Sequence, residues 1–196
     1  MELAREIALA VARILYLFSP LLVAAAASAV VLRLDLLPSL RRPIDGGLSF
    51  RGRRVFGDNK TWRIVVVAIV ASIATVAAQR TILGDAAGSL AVIDYARANP
   101  LWLGAAMGAG AMIGELPNSF VKRRLGIAPG ASARGLRRVA FYIWDQVDLL
   151  TGAWPMILPW VIPDALLVAT SFAVALALHP IVALIGYVVG ARARAR

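Results

Sequence analysis

Two aspartates at positions 145 and 148 interrupt an otherwise apolar stretch in the second half of the chain. If this stretch is helical, a spacing of three places both carboxylates on one face, within reach of a common cation. An acid inside a membrane segment is costly and is therefore a functional candidate by default. Carboxylates without histidine or cysteine nearby suit Mg²⁺, which proteins usually share with substrate phosphates. Asp145 and Asp148 are thus predicted metal ligands; the alternative is a structural pair neutralised by Lys122, Arg137 or Arg138.

A second polar run stands directly before another apolar segment, and it consists of Gly57, Asp58, Asn59, Lys60 and Thr61. Glycine lets a backbone approach a ligand closely. Lys60 and Thr61 add a charge and a hydroxyl at the expected start of a helix, where anions bind readily. The run lacks the spacing of a Walker loop, so on its own it is a weak signal for a phosphate-contacting turn.

A third cluster follows Pro117, where Ser119, Lys122 and Arg123 have the spacing of one helical face. These side chains are candidates for gripping an anion if the helix continues or restarts after the proline. For Arg124 we expect only the role of a basic residue at the end of a membrane span.

Arg51, Arg53 and Arg54 are expected to belong to a solvated basic loop that contacts anionic lipid. Two glycine pairs, Gly104-x3-Gly108 and Gly110-x3-Gly114, are expected to serve close helix packing and not ligand binding.

Composition places these clusters in a membrane protein. The 196 residues are 60% hydrophobic and only 16% charged, yet they carry a net charge of +10 and no cysteine. The missing cysteines exclude a disulfide framework, a thiolate zinc site and a cysteine nucleophile. Such an apolar chain is neither disordered nor a soluble nucleic-acid-binding protein, so no nucleic-acid partner is expected.

Hydropathy predicts an all-α integral membrane protein with a single membrane domain and five transmembrane helices. The longer uncharged runs can cross a hydrocarbon core of ~30 Å. The shorter ones need flanking Trp and Arg residues to settle at the membrane interfaces. The predicted spans are approximately 8–32, 64–80, 100–117, 139–162 and 165–190, with cytoplasmic loops at 33–63 and 118–138.

Most of the 21 basic residues fall in those two loops and in the C-terminal tail. The positive-inside rule therefore places the N-terminus outside and the C-terminus in the cytoplasm. We expect a multi-pass protein of the cell membrane whose active site faces the cytoplasm. A cleaved signal peptide is rejected because Glu2 and Glu6 offset Arg5 and Arg13 in the region before the first span.

In this topology all three polar clusters lie at the cytoplasmic ends of consecutive helices. Two acids for Mg²⁺, several cations and a phosphate-type turn favour nucleotide chemistry on a lipid. No protein nucleophile is needed if the acceptor is already a phosphate monoester, because its oxygen is anionic and the barrier is charge repulsion and positioning.

Three segments taken in order, Gly57–Arg63, Gly114–Gly126 and Asp145–Asp148, resemble the CDP-archaeol synthase family. These are integral membrane cytidylyltransferases related to CDP-diacylglycerol synthases. The resemblance extends from about Pro43 through the fourth span. It implies that CTP and a lipid phosphate give a CDP-lipid and pyrophosphate, with Mg²⁺, on a five-helix membrane fold whose cytoplasmic loops bind CTP.

The resemblance also implies roles for individual residues. Asp145 and Asp148 would hold Mg²⁺, and Lys122 and Arg123, together with Lys60, would grip the triphosphate and neutralise the leaving pyrophosphate. The nucleotide-binding set implied in this way is Gly57, Asp58, Asn59, Lys60, Thr61, Ser119, Lys122 and Arg123, and the catalytic set is Lys122, Arg123, Asp145 and Asp148.

The chain departs from the family pattern at three positions. Asn59 and Ile64 stand where the family usually has glycine, and Glu115 stands where aspartate is more frequent. The acceptor could therefore be an archaeal ether lipid, ester-linked phosphatidic acid or a polyprenyl-type phosphate, and the oligomeric state stays open.

Two other functions would also place charged residues in a membrane protein. A transporter or anion-binding protein would use the intramembrane acids as an ion path, but the fourth span is apolar beyond Asp148 up to Pro163, apart from Thr151. A CDP-alcohol phosphotransferase would carry an Asp-Gly-x2-Ala-Arg motif, which the chain lacks.

Overall fold

The computed structural model describes residues 1–188, without the side chains of residues 3, 83–86 and 179–188. This part of the chain contains five α-helices. They are α1 (Glu2–Arg33), α2 (Trp62–Ala78), α3 (Pro100–Arg124), α4 (Leu136–Ile157) and α5 (Ala165–Val188). The last residues of the predicted fifth span and the basic tail that follows lie outside the described residues.

Helix α3 differs most from its predicted span, because it continues without a break from Pro100 to Arg124 instead of ending at Pro117. A proline inside a helix removes one backbone hydrogen bond. Here the residues after it are held by their own contacts, since the side chain of Asn118 bonds to α4. The third polar cluster is therefore helical, and its side chains have fixed directions.

The glycines of α3 bring its backbone close to both neighbours. A Cβ placed on Gly108 would lie 2.7 Å from the carbonyl oxygen of Ala68 in α2. One placed on Gly110 would lie 2.7 Å from the carbonyl oxygen of Gly152 in α4. The packing role predicted for the two glycine pairs is confirmed, and each pair serves a different neighbouring helix.

The core lies where α1, α3 and α4 meet. Leu17, Leu103 and Ile157 are fully buried there. The rings of Phe18 and Trp154 pack edge to face with centroids 5.1 Å apart, and the indole N–H of Trp154 donates to the hydroxyl of Ser171 at 2.9 Å. The indole thus attaches α5 to the core.

One end of the bundle, which we call the polar end, is formed where α1 and α3 finish and α2 and α4 begin. The loop between α1 and α2 folds over it with a short hairpin, β1 (Ser49–Phe50) paired to β2 (Arg53–Arg54). Arg124 fixes the hairpin by donating to the backbone carbonyls of Phe50, Arg53 and Arg54. The prediction that Arg124 is only a basic span end was therefore wrong, because its guanidinium holds the hairpin on α3.

Arg54 also departs from its predicted role as a lipid-facing cation. Its guanidinium forms ion pairs with Asp45 at 2.7 Å and with Asp58. These contacts lie within the loop, so Arg54 stabilises the loop's own conformation.

By length and composition, two helices in the described part of the chain could cross a membrane, Ala4–Arg33 and Trp62–Ile82. A shorter apolar helix, Ala165–Leu178, adds to them. Helices α3 and α4 are not in this set; α3 is rich in glycine, and α4 carries the two aspartates of the polar end.

Candidate active site

The two aspartates of α4 lie on one face of the helix, as predicted, and meet the same partner on α3. The side-chain amide N–H groups of Asn118 donate to Asp145 and to Asp148, the latter at 2.9 Å. The helices can come this close because Gly114 and Gly152 carry no side chains. A Cβ on Gly152 would lie only 2.7 Å from the Cα of Gly114. The glycine contact therefore positions the acidic pair.

Lys122, one helical turn beyond Asn118, forms an ion pair with Asp145. Its ammonium group also lies 5.4 Å from the centre of the Phe141 ring. Arg137 and Arg138 are exposed and form no ion pair among the described residues. Lys122 therefore neutralises Asp145, as the alternative of a structural pair expects, whereas Asp148 is buried without a cation partner among the described residues.

The polar run before α2 forms the predicted turn leading into a helix. The N–H of Lys60 donates to the carbonyl of Gly57, whose φ of +102° is a conformation that favours glycine. Thr61 is the N-cap residue of α2, yet its side chain makes no capping bond. The Thr61 hydroxyl oxygen is buried without a partner among the described residues.

Lys60 connects this turn to the acidic pair. Its ammonium group pairs with Glu115 on α3, and both groups are coupled electrostatically to Asp148. Glu115, one of the three departures from the family pattern, thus has a cation partner in the turn. Turn, α3 and α4 thus contribute to one charged cluster.

Arg123, near the end of α3, lies against the start of the same turn. Only 8% of the residue is exposed, and its Nε and Nη1 have no hydrogen-bond partner in the described part of the chain. A Cβ on Gly57 would lie 3.7 Å from this Nη1, so the guanidinium abuts the turn. Burial lowers the pKa of Arg123 from its ordinary value. Leaving such donors unsatisfied is costly, and a phosphate accepts from a guanidinium in a matching geometry.

The side chains of three predicted nucleotide-binding residues form no hydrogen bond or ion pair with this cluster in the described part of the chain. The carboxylate of Asp58 is 72% exposed and pairs with Arg54. Asn59 is exposed and lines a cavity of about 390 Å³ between α2 and α3. Ser119 is half-buried, and its side chain forms no hydrogen bond with the described residues. The α3 face directed at the aspartates carries Asn118 and Lys122 instead.

Sequence reasoning missed Asn118 and Asp45. Asn118 precedes Lys122 by four residues, so the helical spacing that selected Ser119 could have selected it as well. Asp45 is a buried acid in the loop before α2, and its carboxylate accepts hydrogen bonds from the loop backbone and from Arg54. Burial acts to raise the pKa of Asp45, but the bonds from Phe56, Arg54 and the glycines outweigh it and hold the pKa below its ordinary value.

The donor set at the polar end fits Mg²⁺. No group of three histidine, cysteine, aspartate or glutamate side chains able to hold a metal occurs among the described residues. Mg²⁺, however, is commonly bound by one or two carboxylates together with substrate phosphates. Asp145 and Asp148 supply these carboxylates, and the amide oxygen of Asn118 beside them is buried without a partner.

Comparison with known proteins supports the resemblance seen in the three motifs. Residues 7–194 match the family described as CarS-like CDP-archaeol synthase. A CDP-archaeol synthase of Halobacterium salinarum is 41% identical over 115 residues, covering 57% of this chain and 56% of the relative. One from Methanoculleus marisnigri is 32% identical over 157 residues, covering 76% of this chain and 87% of the relative.

The match to the Halobacterium protein, like that to a CDP-archaeol synthase of Thermococcus onnurineus, spans about half the length of the relative (56% in both cases). A solved structure is also similar, with a TM-score of 0.63 and 26% identity over 87% of this chain and 92% of the other. It is described as an intramembrane enzyme for the biosynthesis of archaeal membrane lipids. The family predicted from the motifs is confirmed: this chain belongs to the CarS-like CDP-archaeol synthase family.

Proposed function

We propose that the protein transfers the cytidylyl group of CTP to the phosphate of a membrane lipid, giving a CDP-lipid and pyrophosphate. The observation that carries this proposal is the buried guanidinium of Arg123, which has no partner among the described residues and abuts the Gly57 turn. A buried cation beside a glycine turn is suited to a phosphate chain. Family membership supports the same reaction.

In the proposed reaction, an oxygen of the lipid phosphate attacks the α-phosphorus of CTP. A new P–O bond forms, the bond from the α-phosphorus to the bridging oxygen breaks, and pyrophosphate leaves with that oxygen. The attacking oxygen is already anionic at neutral pH, so the protein needs neither a nucleophile nor a base. Its task is to position two anions and to offset their repulsion.

Each part of the cluster has a proposed role in this task. Arg123, Lys60 and the Thr61 hydroxyl bind the triphosphate over the Gly57 turn, and Lys122 offsets negative charge next to Asp145. Asp58, Asn59 and Ser119 remain proposed nucleotide contacts at the edge of the site.

Asp145 and Asp148, kept side by side by Asn118, would hold Mg²⁺. A bound Mg²⁺ would polarise phosphate oxygens and shield the charge of the departing pyrophosphate. The two carboxylates are therefore proposed to act through the ion that they bind, and not by taking up a proton.

A membrane lipid as acceptor is supported by an apolar crevice of about 150 Å³ between α1, α4 and α5. Phe18, Leu149 and Val174 line it, and Gln146, the neighbour of Asp145, adds a polar group. A hydrocarbon chain entering sideways from the bilayer could lie in such a crevice while its phosphate reaches the polar end.

The transport alternative receives no support from α4. Beyond Asp148 this helix buries Leu150, Ala153, Trp154 and Ile157 in the core. These apolar side chains leave no polar path along α4 among the described residues.

We further propose that all five helices span the membrane, with the N-terminus outside and the polar end in the cytoplasm, in the cell membrane. The distribution of basic residues supports this orientation. Helices α1, α2 and α4 expose Val30, Val70 and Ile143, as expected of a surface that faces lipid.

The orientation can be tested by cysteine labelling, because the natural chain has no cysteine and gives no background. Ala131→Cys lies in the loop between α3 and α4, and Ala96→Cys lies at the opposite end of the bundle. In intact cells, a membrane-impermeant maleimide is expected to label the second variant and to label the first only after lysis. The reverse pattern would contradict the proposed orientation.

The reaction can be tested with the detergent-purified protein. We expect pyrophosphate release that requires CTP, Mg²⁺ and a lipid phosphate together, with an ether-linked isoprenoid phosphate, phosphatidic acid and a polyprenyl phosphate compared as acceptors. If the protein binds CTP but none of these acceptors supports release, the proposed reaction is wrong.

A further inference from the structure

We propose that Asp45 is a positioning residue that holds the Gly57 turn in the shape required to bind phosphate. This inference rests on the proposed function. Asp45 does not belong to the charged cluster described above, and it acts through the backbone of the turn.

The carboxylate of Asp45 is almost completely buried, with 1% of the side chain exposed. One of its oxygens accepts from the backbone N–H groups of Phe56 at 3.0 Å and Gly57 at 3.3 Å. The other accepts from the N–H of Gly47 at 3.0 Å and from Arg54 at 2.7 Å. Four donors thus converge on one carboxylate, and two of them belong to the start of the turn.

The segment that carries Asp45 also supports the end of the turn. The N–H of Ile44 donates to the carbonyl of Lys60 at 2.8 Å, and the N–H of Trp62 donates to the carbonyl of Arg42 at 3.0 Å. The turn is therefore held at its exit by backbone pairing and at its entrance by the Asp45 carboxylate.

The entrance is the critical end for phosphate binding, since Gly57 is the residue that abuts Arg123. Its positive φ is kept by bonds on both sides, because its N–H is bound to Asp45 and its carbonyl accepts from Lys60. If Asp45 released the two amides, Gly57 could shift relative to Arg123, and Lys60 would shift with it.

A carboxylate suits this position better than an amide. Both of its oxygens accept, which four converging donors require, whereas asparagine offers one acceptor oxygen and turns an N–H group towards other donors. Charge also matters, because hydrogen bonds to an ionised acceptor are about twice as strong as neutral ones.

The test compares Asp45→Asn with the natural protein, both full-length and in detergent. In hydrogen-exchange mass spectrometry without nucleotide, we expect the segment containing Phe56 and Gly57 to exchange about tenfold faster in the variant, as the loss of a buried charged hydrogen bond implies. In the transferase assay we expect the KM for CTP to rise about tenfold while kcat changes less than about threefold. This is the pattern expected when an enzyme loses an interaction that binds CTP equally in the ground state and the transition state. Asp45→Ala is expected to show larger effects in the same direction.

Asp94→Asn is the matched control. Asp94 also accepts from loop backbone amides, those of Ala96 and Arg97, but at the opposite end of the bundle. We expect this variant to leave exchange at Phe56 and Gly57, and the KM for CTP, unchanged.

Unchanged exchange at Phe56 and Gly57 in Asp45→Asn would overturn the inference. So would a fall in kcat with unchanged KM, since that indicates a smaller folded fraction and not a misplaced turn. The exchange measurement needs no nucleotide, so it decides whether Asp45 holds the turn even if the natural protein shows no transfer. Absence of transfer by the natural protein would instead refute the proposed function.

Discussion

Asp148→Asn is expected to abolish turnover and to leave the protein folded. Asp148 is the buried member of the acidic pair, and no cation pairs with it among the described residues. Replacing its carboxylate with an amide removes the charge that would attract Mg²⁺, and we expect kcat to fall by about a thousandfold or more, as when a preorganised electrostatic group is lost. The asparagine has nearly the same shape, and its one oxygen can still accept from Asn118, whereas the oxygen that accepts from the N–H of Leu149 is replaced by an amide NH₂ group.

The measurement is kcat at saturating CTP, with thermal unfolding in detergent as the check on folding. Asp164→Asn is a suitable control, because Asp164 is an exposed acid that accepts from the N–H of Leu167 at the start of α5. We expect the control to keep full activity. If Asp148→Asn retained more than about a tenth of the natural kcat, the metal assignment would have to be abandoned.

Arg123→Met is expected to weaken CTP binding strongly without destabilising the protein. The methionine keeps an apolar stem in a buried place but removes the charge and its donors. We expect CTP affinity to fall about a hundredfold, the effect of truncating one partner of a buried charge pair. Because Nε and Nη1 of Arg123 have no partner among the described residues, removing them should leave the thermal stability of the nucleotide-free protein equal or higher.

Two further variants make this prediction specific. Arg123→Lys keeps the charge but loses the planar fork, so an intermediate loss of affinity is expected. Arg97→Met removes a cation that is 90% exposed at the opposite end of the bundle and should change neither affinity nor stability. Natural CTP affinity in Arg123→Met, measured by equilibrium dialysis, would show that this guanidinium does not bind the nucleotide.

The sequence predicts the approximate helices and the charged residues of the site, because hydropathy and charge are read directly from residue types. It predicts the end of α3 poorly. Apolar character stops near Pro117, but the helix continues because Asn118 and Lys122 bind the aspartates of α4. Hydropathy measures the preference for lipid, and it contains no information about these interhelical bonds.

The hydrogen bonds of Asp45 to the turn could not be predicted from sequence patterns either. Its carboxylate bonds to Phe56 and Gly57, and this contact requires the chain to reverse at Gly46 and Gly47, which have positive φ values of 57° and 88°. A glycine pair predicts a turn, but it does not predict which later amides will meet the preceding acid. The ion pair between Asp58 and Arg54 is likewise not visible in the motif, because it depends on how the hairpin folds back on the loop.

Transfer of the cytidylyl group itself can be followed by the position of a radioactive label in the product. The purified protein is given Mg²⁺, a lipid phosphate and CTP radiolabelled at either the α- or the γ-phosphate, and the organic phase is then extracted. We expect the α-label to enter the lipid and the γ-label to stay in the aqueous phase as pyrophosphate. Entry of the γ-label into the lipid would reveal a kinase, and absence of both labels from the lipid would contradict the transfer reaction altogether.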